Sequence, residues 1–376
     1  MKKLITVLCS LCLAVTLFAL SACGGSSNGT IKGNYKEADA ESYAAAKEVV
    51  SEPKLVKEDA TSFGLSVKSD FEASVKFDGK SASVSENETL DVSVNMENAD
   101  VTAAAKVELK LKMDDKFIDT IYNAVAAAMN AEAEADADAA AEEENPIPDI
   151  GKVDVTAKAN AYVSAGNVYV DGNVKGISDK LKALATASAG EEAADVIATL
   201  EEGFKYAFPQ EMIVALLQDV DLLGGLDLGG MTETTGGMVG VLAEADFESV
   251  NALLGQYGLK LYIDNGADGL KIKLATTAEA KTLITTIIAS SIGVNAPVNE
   301  ISINKLDLEI YVAFDAEGFL TGIALNVNVN ATAKVFGKTA ELNVKGTADI
   351  ALGVADVKLP SSFDGYVNPM AGEIEE

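Results

Sequence analysis

The chain has 376 residues, 58 of them acidic against 29 basic, a formal net charge of −29, and no histidine, tryptophan or arginine. Without histidine there is no imidazole base, no histidine-based triad and no imidazole metal ligand; without arginine there is no bidentate clamp for phosphate or carboxylate. The acidic balance repels nucleic-acid phosphates, so no nucleic-acid partner is expected.

Residues 1–22 read as a secretory signal peptide. Lys2 and Lys3 precede a near-continuous apolar stretch from Leu4 to Ala19. About 16 apolar residues make a helix of roughly 24 Å, short of the ~30 Å hydrocarbon core of a bilayer. Leu20-Ser21-Ala22-Cys23 then resembles the bacterial lipobox. That resemblance implies that diacylglycerol is attached to the Cys23 sulfur and that the chain is cut before it. Cys9 and Cys12 leave with the signal, so the mature chain is expected to carry neither a free thiol nor a disulfide. Two acyl chains anchor stably, since each buried methylene adds about 0.8 kcal/mol. The expected partner is therefore membrane lipid through Cys23, and the expected location is the extracytoplasmic face of the cell membrane. Residues 23–58 read as a lipidated tether. Its Gly24–Asn34 leash spans roughly 20 Å, and the alanine- and glutamate-rich stretch from Lys36 to Val50 predicts a short surface helix.

The main domain is placed at 59–363. From Ser62 the apolar period is two: Phe63, Leu65, Val67, Phe71, Ala73, Val75 and Phe77 share one face, with Ser66, Lys68, Asp70, Glu72 and Lys76 opposite. Asp78-Gly79 turns the chain, and Leu90–Met96 and Val101–Met113 continue the alternation as a three-stranded meander. Phe117, Ile118, Ile121, Tyr122, Val125 and Met129 recur at helical spacing. The acidic run 130–149 follows and reads as a solvated loop. Its carboxylates at Glu132, Glu134, Asp136 and Asp138 lack the turn glycine of an EF-hand.

Strand period returns from Val153 to Val163 and, after Ala165-Gly166-Asn167, from Val168 to Val174. The stretch from Ile177 to Val220 reads as helical, with Val196, Ile197, Leu200 and Phe204 in one stripe. Pro209 restarts the helix for a second stripe through Met212, Ile213, Leu216, Leu217 and Val220. The glycine-rich segment 224–240 has no Gly-Lys-Ser/Thr ending and so is no phosphate cradle. It reads as a linker or as a flap over an apolar cavity. A helix near Glu244–Leu254 precedes two strands joined at Asn265-Gly266. A second helix, Ala278–Ile292, precedes three long strands that end near Leu352. The segment from Val357 to Pro369 reads as a closing edge, and residues 364–376 as an acidic tail.

These elements predict an α+β fold, a curved antiparallel β half-barrel with helices covering its concave face. Two tandem halves split near Gly236 are the alternative. The lipobox, the leash, the long alternating strands, the helix insertions and the Ala313–Leu325 hairpin together resemble the lipoprotein-carrier (LolA/LppX-like) group of bacterial lipoproteins. The resemblance implies an apolar pocket for lipid or acyl chains between sheet and helices. The pocket candidates are Ala157, Ala159 and Ala161 on the sheet, facing Ile213, Leu216, Leu217, Ile284, Ile287 and Ile288 on helices. Small alanines there fit either close packing or a hollow. A second reading is a surface module with a filled core, whose outer-face Asn326, Asn328, Asn330, Thr332 and Lys334 meet a partner or glycan. No cofactor, metal or enzymatic activity is expected. Ser302-Ile303-Asn304-Lys305 has the Ser-x-x-Lys spacing but sits in an alternating strand without the accompanying motifs.

Overall fold

The computed structural model describes residues 31–51, 54–57, 59–98, 100–133, 150–209, 245–291, 298–353 and 355–369. Within them lie twelve strands and six helices, an α+β arrangement. The strands are β1 (Lys36–Glu37), β2 (Ser62–Phe77), β3 (Lys80–Asn95), β4 (Val101–Met113), β5 (Val153–Ser164), β6 (Asn167–Lys175), β7 (Phe204–Pro209), β8 (Leu259–Gly266), β9 (Gly269–Thr276), β10 (Val298–Phe314), β11 (Leu320–Val335) and β12 (Lys338–Leu352). The helices are α1 (Ala40–Ser51), α2 (Phe117–Ala133), α3 (Asp179–Ala189), α4 (Glu191–Glu202), α5 (Phe247–Gln256) and α6 (Ala278–Ser291). All twelve strands form one open, curved antiparallel sheet in the order β1-β8-β9-β10-β11-β12-β2-β3-β4-β5-β6-β7. Pairing of β12 with β2 joins the C-terminal strands to the N-terminal ones. The two halves of the sequence therefore share one sheet.

Alternation along each strand, carried across the registers, gives the sheet two chemically distinct faces. Directly paired residues lie on the same face. One row runs Ile263, Ile272, Val312, Ile323, Ile350, Val67 and Leu90, then Ala105, Ala161, Val170 and Tyr206. The row one residue along holds Lys273, Tyr311, Asp349, Lys68, Lys106, Asn160 and Asp171. A one-residue slip would exchange these rows, so the register is fixed by burial as well as by the turns. In one hairpin the turn differs from expectation. Gly266 pairs with Gly269, so the β8–β9 reversal falls at Ala267-Asp268 and Asn265 remains in the strand.

The main packed core sits over the β8–β10 end of the apolar face. Tyr43, Ala46 and Val50 of α1 and Val250 of α5 meet Leu261, Ile263, Ile272, Val312 and Phe314. Val50 and Val250 are the most completely buried large side chains. The helix expected at the surface of the tether is thus a core element. Its burial depends on a route invisible locally. Residues 31–35 cross the polar face, where Tyr35 packs edge-on to Tyr311 and Lys273 sits over the rings of Tyr35, Tyr262 and Tyr311. Burial, with Asp264 and Glu309 nearby, pushes the Tyr35 phenol well above its usual range. Then β1 pairs with β8 at the sheet edge and delivers α1 to the opposite, apolar face.

Two helix starts in this core are held by aspartate caps. Asp39 Oδ1 accepts from Ser42 N at 2.8 Å while Asp39 N donates to Ser42 Oγ at 3.0 Å. Asp246 Oδ1 accepts from Ser249 N at 2.8 Å. These hydrogen bonds hold both carboxyls below the ordinary aspartate range. A depressed folded-state pKa contributes stability above the unfolded value and loses it as pH falls through the folded one. Asp39→Ala and Asp246→Ala should each lower the melting temperature at neutral pH. The difference from the parent should shrink in acid, where both parent carboxyls are protonated. An unchanged difference across that titration would remove the capping account.

At the other end, Gly203 (φ +94°) stops α4, and β7 follows with Phe204, Tyr206 and Phe208 alternating against Lys205 and Ala207. This corrects the helical reading of Phe204. Its side chain belongs to a strand that pairs with β6. The C-terminal segment covers the same edge. Ala207 N donates to Val367 O at 2.9 Å, and Phe363 stacks on Tyr169 at 3.8 Å. The Tyr366 hydroxyl donates to Asp171 Oδ2. Residues 364–369, read as part of an acidic tail, therefore belong to the fold.

Candidate functional site

The apolar face over β2–β7 is broad and built low. Ala82, Ala105, Ala157, Ala159 and Ala161 extend little above the backbone. Two phenylalanines lie flat because a glycine is the cross-strand neighbour. Phe71 of β2 covers Gly346 of β12, which is directly opposite it. Phe204 of β7 covers Gly172 of β6 in the same way. Each ring laid along the sheet covers the glycine backbone; Phe71 is itself covered, at 7% exposed, whereas Phe204 is half-buried.

Over β4 the described residues leave this face open: Leu109 is 42% and Leu111 46% exposed, although both point to the apolar side. α2 packs against β2 and β3, with Phe117 and Val125 buried. The cores of α1 and α5 lie at the β8–β10 end.

Three polar side chains interrupt this face near its middle. The β2–β3 register places Ser69 opposite Glu88 and Phe71 opposite Glu86, and the β3–β4 register puts Leu109 beside Glu86 and Val107 beside Glu88. Ser69 is 3% exposed. Burial, then the charge of Glu86, pushes the Glu88 carboxyl above the usual glutamate range. The polar character of Ser81–Glu88 hides this pair in the sequence, where the apolar alternation of this strand is legible only from Leu90 to Met96. The register with Phe71 is the signal that finds them.

Of the expected pocket residues, Ala157 and Ala161 are half-buried and Ala159 is exposed, all on the apolar face of β5. Ile284 is half-buried on α6, which packs against β10, six strands from β5 in the sheet. The three alanines and Ile284 are thus at separate parts of the sheet. Ile287 and Ile288 lie within α6. Ile213, Leu216 and Leu217 fall outside the described residues, as do Cys23, the acidic carboxylates from Glu134 to Asp138 and the segment 224–240.

The outer face makes its own hydrogen bonds. Asn304 donates to Asn330 at 2.6 Å, Asn330 to Glu341 at 3.0 Å, and Asn326 to Glu309 at 3.1 Å. Lys334 pairs with Glu300 at 2.7 Å. Glu108, held by Lys110 and Lys158, is lowered to about 2. A cleft of about 300 Å³ on this face, lined by Ile31, Ser66, Lys68, Thr321, Gly322 and Asp349, lies beside the incoming N-terminal segment. Among the described residues no cluster of acidic groups has metal-binding geometry, and no helix is long and apolar enough to cross a membrane. Ser302 and Lys305 lie within β10, and the Ser302 hydroxyl donates to Asn304 Oδ1 at 3.3 Å. Compared with known proteins, the chain matches no family model, no curated protein and no solved structure.

Proposed function

We propose that this protein is a membrane-anchored extracytoplasmic lipoprotein that binds an apolar ligand, such as a lipid acyl chain, on the apolar face of its sheet. In this reading the sheet is a half-barrel in the manner of the lipoprotein-carrier group, helices close over its concave face, and Cys23 carries the acyl anchor. The protein is a binder and not an enzyme.

The observation that carries the reading is the low apolar floor beneath Leu109 and Leu111, two large side chains left about half exposed on the inward face of a long strand. Ligand sites are predominantly apolar concavities with a few polar groups, and exposed apolar patches beyond a few hundred Å² mark interaction sites. The half-buried ring of Phe204 and the alanines of β5 supply a floor on which an acyl chain can lie. The outer face offers less, because its amides and carboxylates are already bonded across strands.

Purified protein extracted into organic solvent should release lipid detectable by mass spectrometry. The Leu109→Glu/Leu111→Glu variant should retain its fold and lose that lipid. An extract free of lipid, with no thermal shift on adding lipid, would end the reading. For the anchor, Cys23→Ser should abolish incorporation of labelled palmitate and release the protein to the soluble fraction. Continued labelling would dispose of Cys23 as the acyl site.

A further inference from the structure

We infer that the apolar face carries a head-group subsite, formed by Glu86, Glu88 and Ser69, that selects an amphiphile bearing a primary ammonium group. This inference rests on the apolar-ligand reading above and specifies which ligand class that site takes.

Three observations combine. First, the registers fix Glu86 and Glu88 on the apolar side, two positions apart on one strand, with Phe71 and Leu109 flanking Glu86 and Val107 beside Glu88. Carboxylates on a strand otherwise alternating Val84, Leu90 and Val92 toward that side are costly to desolvate without a partner. Neither glutamate has a hydrogen bond or ion pair among the described residues. On the outer face, by contrast, Glu108, Glu300, Glu309 and Glu341 each bind a cation or an amide. Second, Ser69 faces Glu88 directly across the strand pair, is 3% exposed, and makes no side-chain hydrogen bond among the described residues. An ammonium group donates three hydrogen bonds and accepts none, which matches two carboxylates and a hydroxyl oxygen. Third, burial, and after it the charge of Glu86, push the Glu88 carboxyl above its usual range.

The apolar floor extends from this trio over Leu109, Leu111, Ala105 and Ala157, so a chain attached to the ammonium group has a surface to occupy. An anionic head would meet two like charges there, and a hydroxyl head would replace only part of the charge-assisted bonding.

The test uses the purified full chain and three probes of equal chain length: dodecylammonium, dodecanol and dodecanoate. Binding is measured at a salt concentration that screens the protein's overall charge. Dodecylammonium should bind at least about tenfold more tightly than dodecanol, and dodecanoate more weakly than either. Glu86→Gln/Glu88→Gln should erase the ammonium preference while keeping dodecanol binding, which also shows that the variant folds. Asp70→Asn/Glu72→Gln, which removes two charges from the opposite face of β2, should leave the preference intact. Equal affinity for all three probes would overturn the subsite and leave the apolar-ligand reading standing. A preference that survives Glu86→Gln/Glu88→Gln, or that falls equally with the outer-face variant, would assign it to overall charge and also overturn the subsite. Failure of all three probes to bind would overturn both.

Discussion

Replacing Gly269 by alanine should destabilise the protein by about 3–5 kcal/mol, read as a fall in the urea midpoint at unchanged slope. Two costs coincide at this residue. Its φ is +116°, in the region that L side chains rarely adopt, and such strain costs on the order of 1–3 kcal/mol. A Cβ there would also overlap Phe314 O and lie 2.6 Å from Asp315 C and 2.8 Å from Asp315 Cα. These are backbone atoms where β10 ends, and Phe314, 2% exposed, is fixed in the main core. No rotamer change relieves such an overlap; the β8–β9 turn would have to lift off the β10–β11 corner. Gly79→Ala provides the control, because Gly79 has φ +80° and nothing within 4 Å of the position a Cβ would take. It should cost only about 1 kcal/mol. If the two variants melt alike, close approach is not what selects glycine at 269.

The long strands were legible because one-sided burial writes a strict period of two into the sequence. Phe63–Phe77, Val101–Met113 and the three strands after Val298 needed no tertiary information, and the reversals at Asp78-Gly79 and Ala165-Gly166 each place a glycine at the second positive φ angle. What the sequence hid is non-local. Nothing near Ser62 or Leu352 announces that β12 pairs with β2, so two tandem halves stand as an alternative to one sheet until the pairing is seen. α1 exposes only Tyr43, Ala46 and Val50 as an apolar stripe among alanines and glutamates. Its place in the core follows from the crossing of the N-terminal segment and the β1 edge pairing, both of which lie far from the helix's local pattern. Phe204 was misassigned for a different reason. Val196, Ile197, Leu200 and Phe204 do fall at helical spacing, but Gly203 ends the helix one residue before that phenylalanine. The period-two aromatics Phe204, Tyr206 and Phe208 were the better signal.

The candidate site was half legible on the same grounds. Small inward residues on β5 could be read directly, whereas which helix faces them could not, and Ile284 proved to belong with β10. Glu86 and Glu88 escaped because a polar stretch of β3 gives no apolar period to follow. Only its pairing with Ser69 and Phe71 assigns those carboxylates to a face.

The packing of Phe71 on Gly346 can be tested by a double-mutant cycle. Phe71→Ala should cost about 3–5 kcal/mol, because a 7%-exposed ring is removed and the backbone at Gly346 loses its cover. Gly346→Val should cost about 1–3 kcal/mol or more, since a side chain there falls inside the contact radius of Phe71 Cδ1 and Cε1. The double variant should be less destabilised than the sum of the two by about 1–3 kcal/mol, because valine then occupies the space that the ring vacates. Strict additivity would mean that the ring does not rest on the glycine.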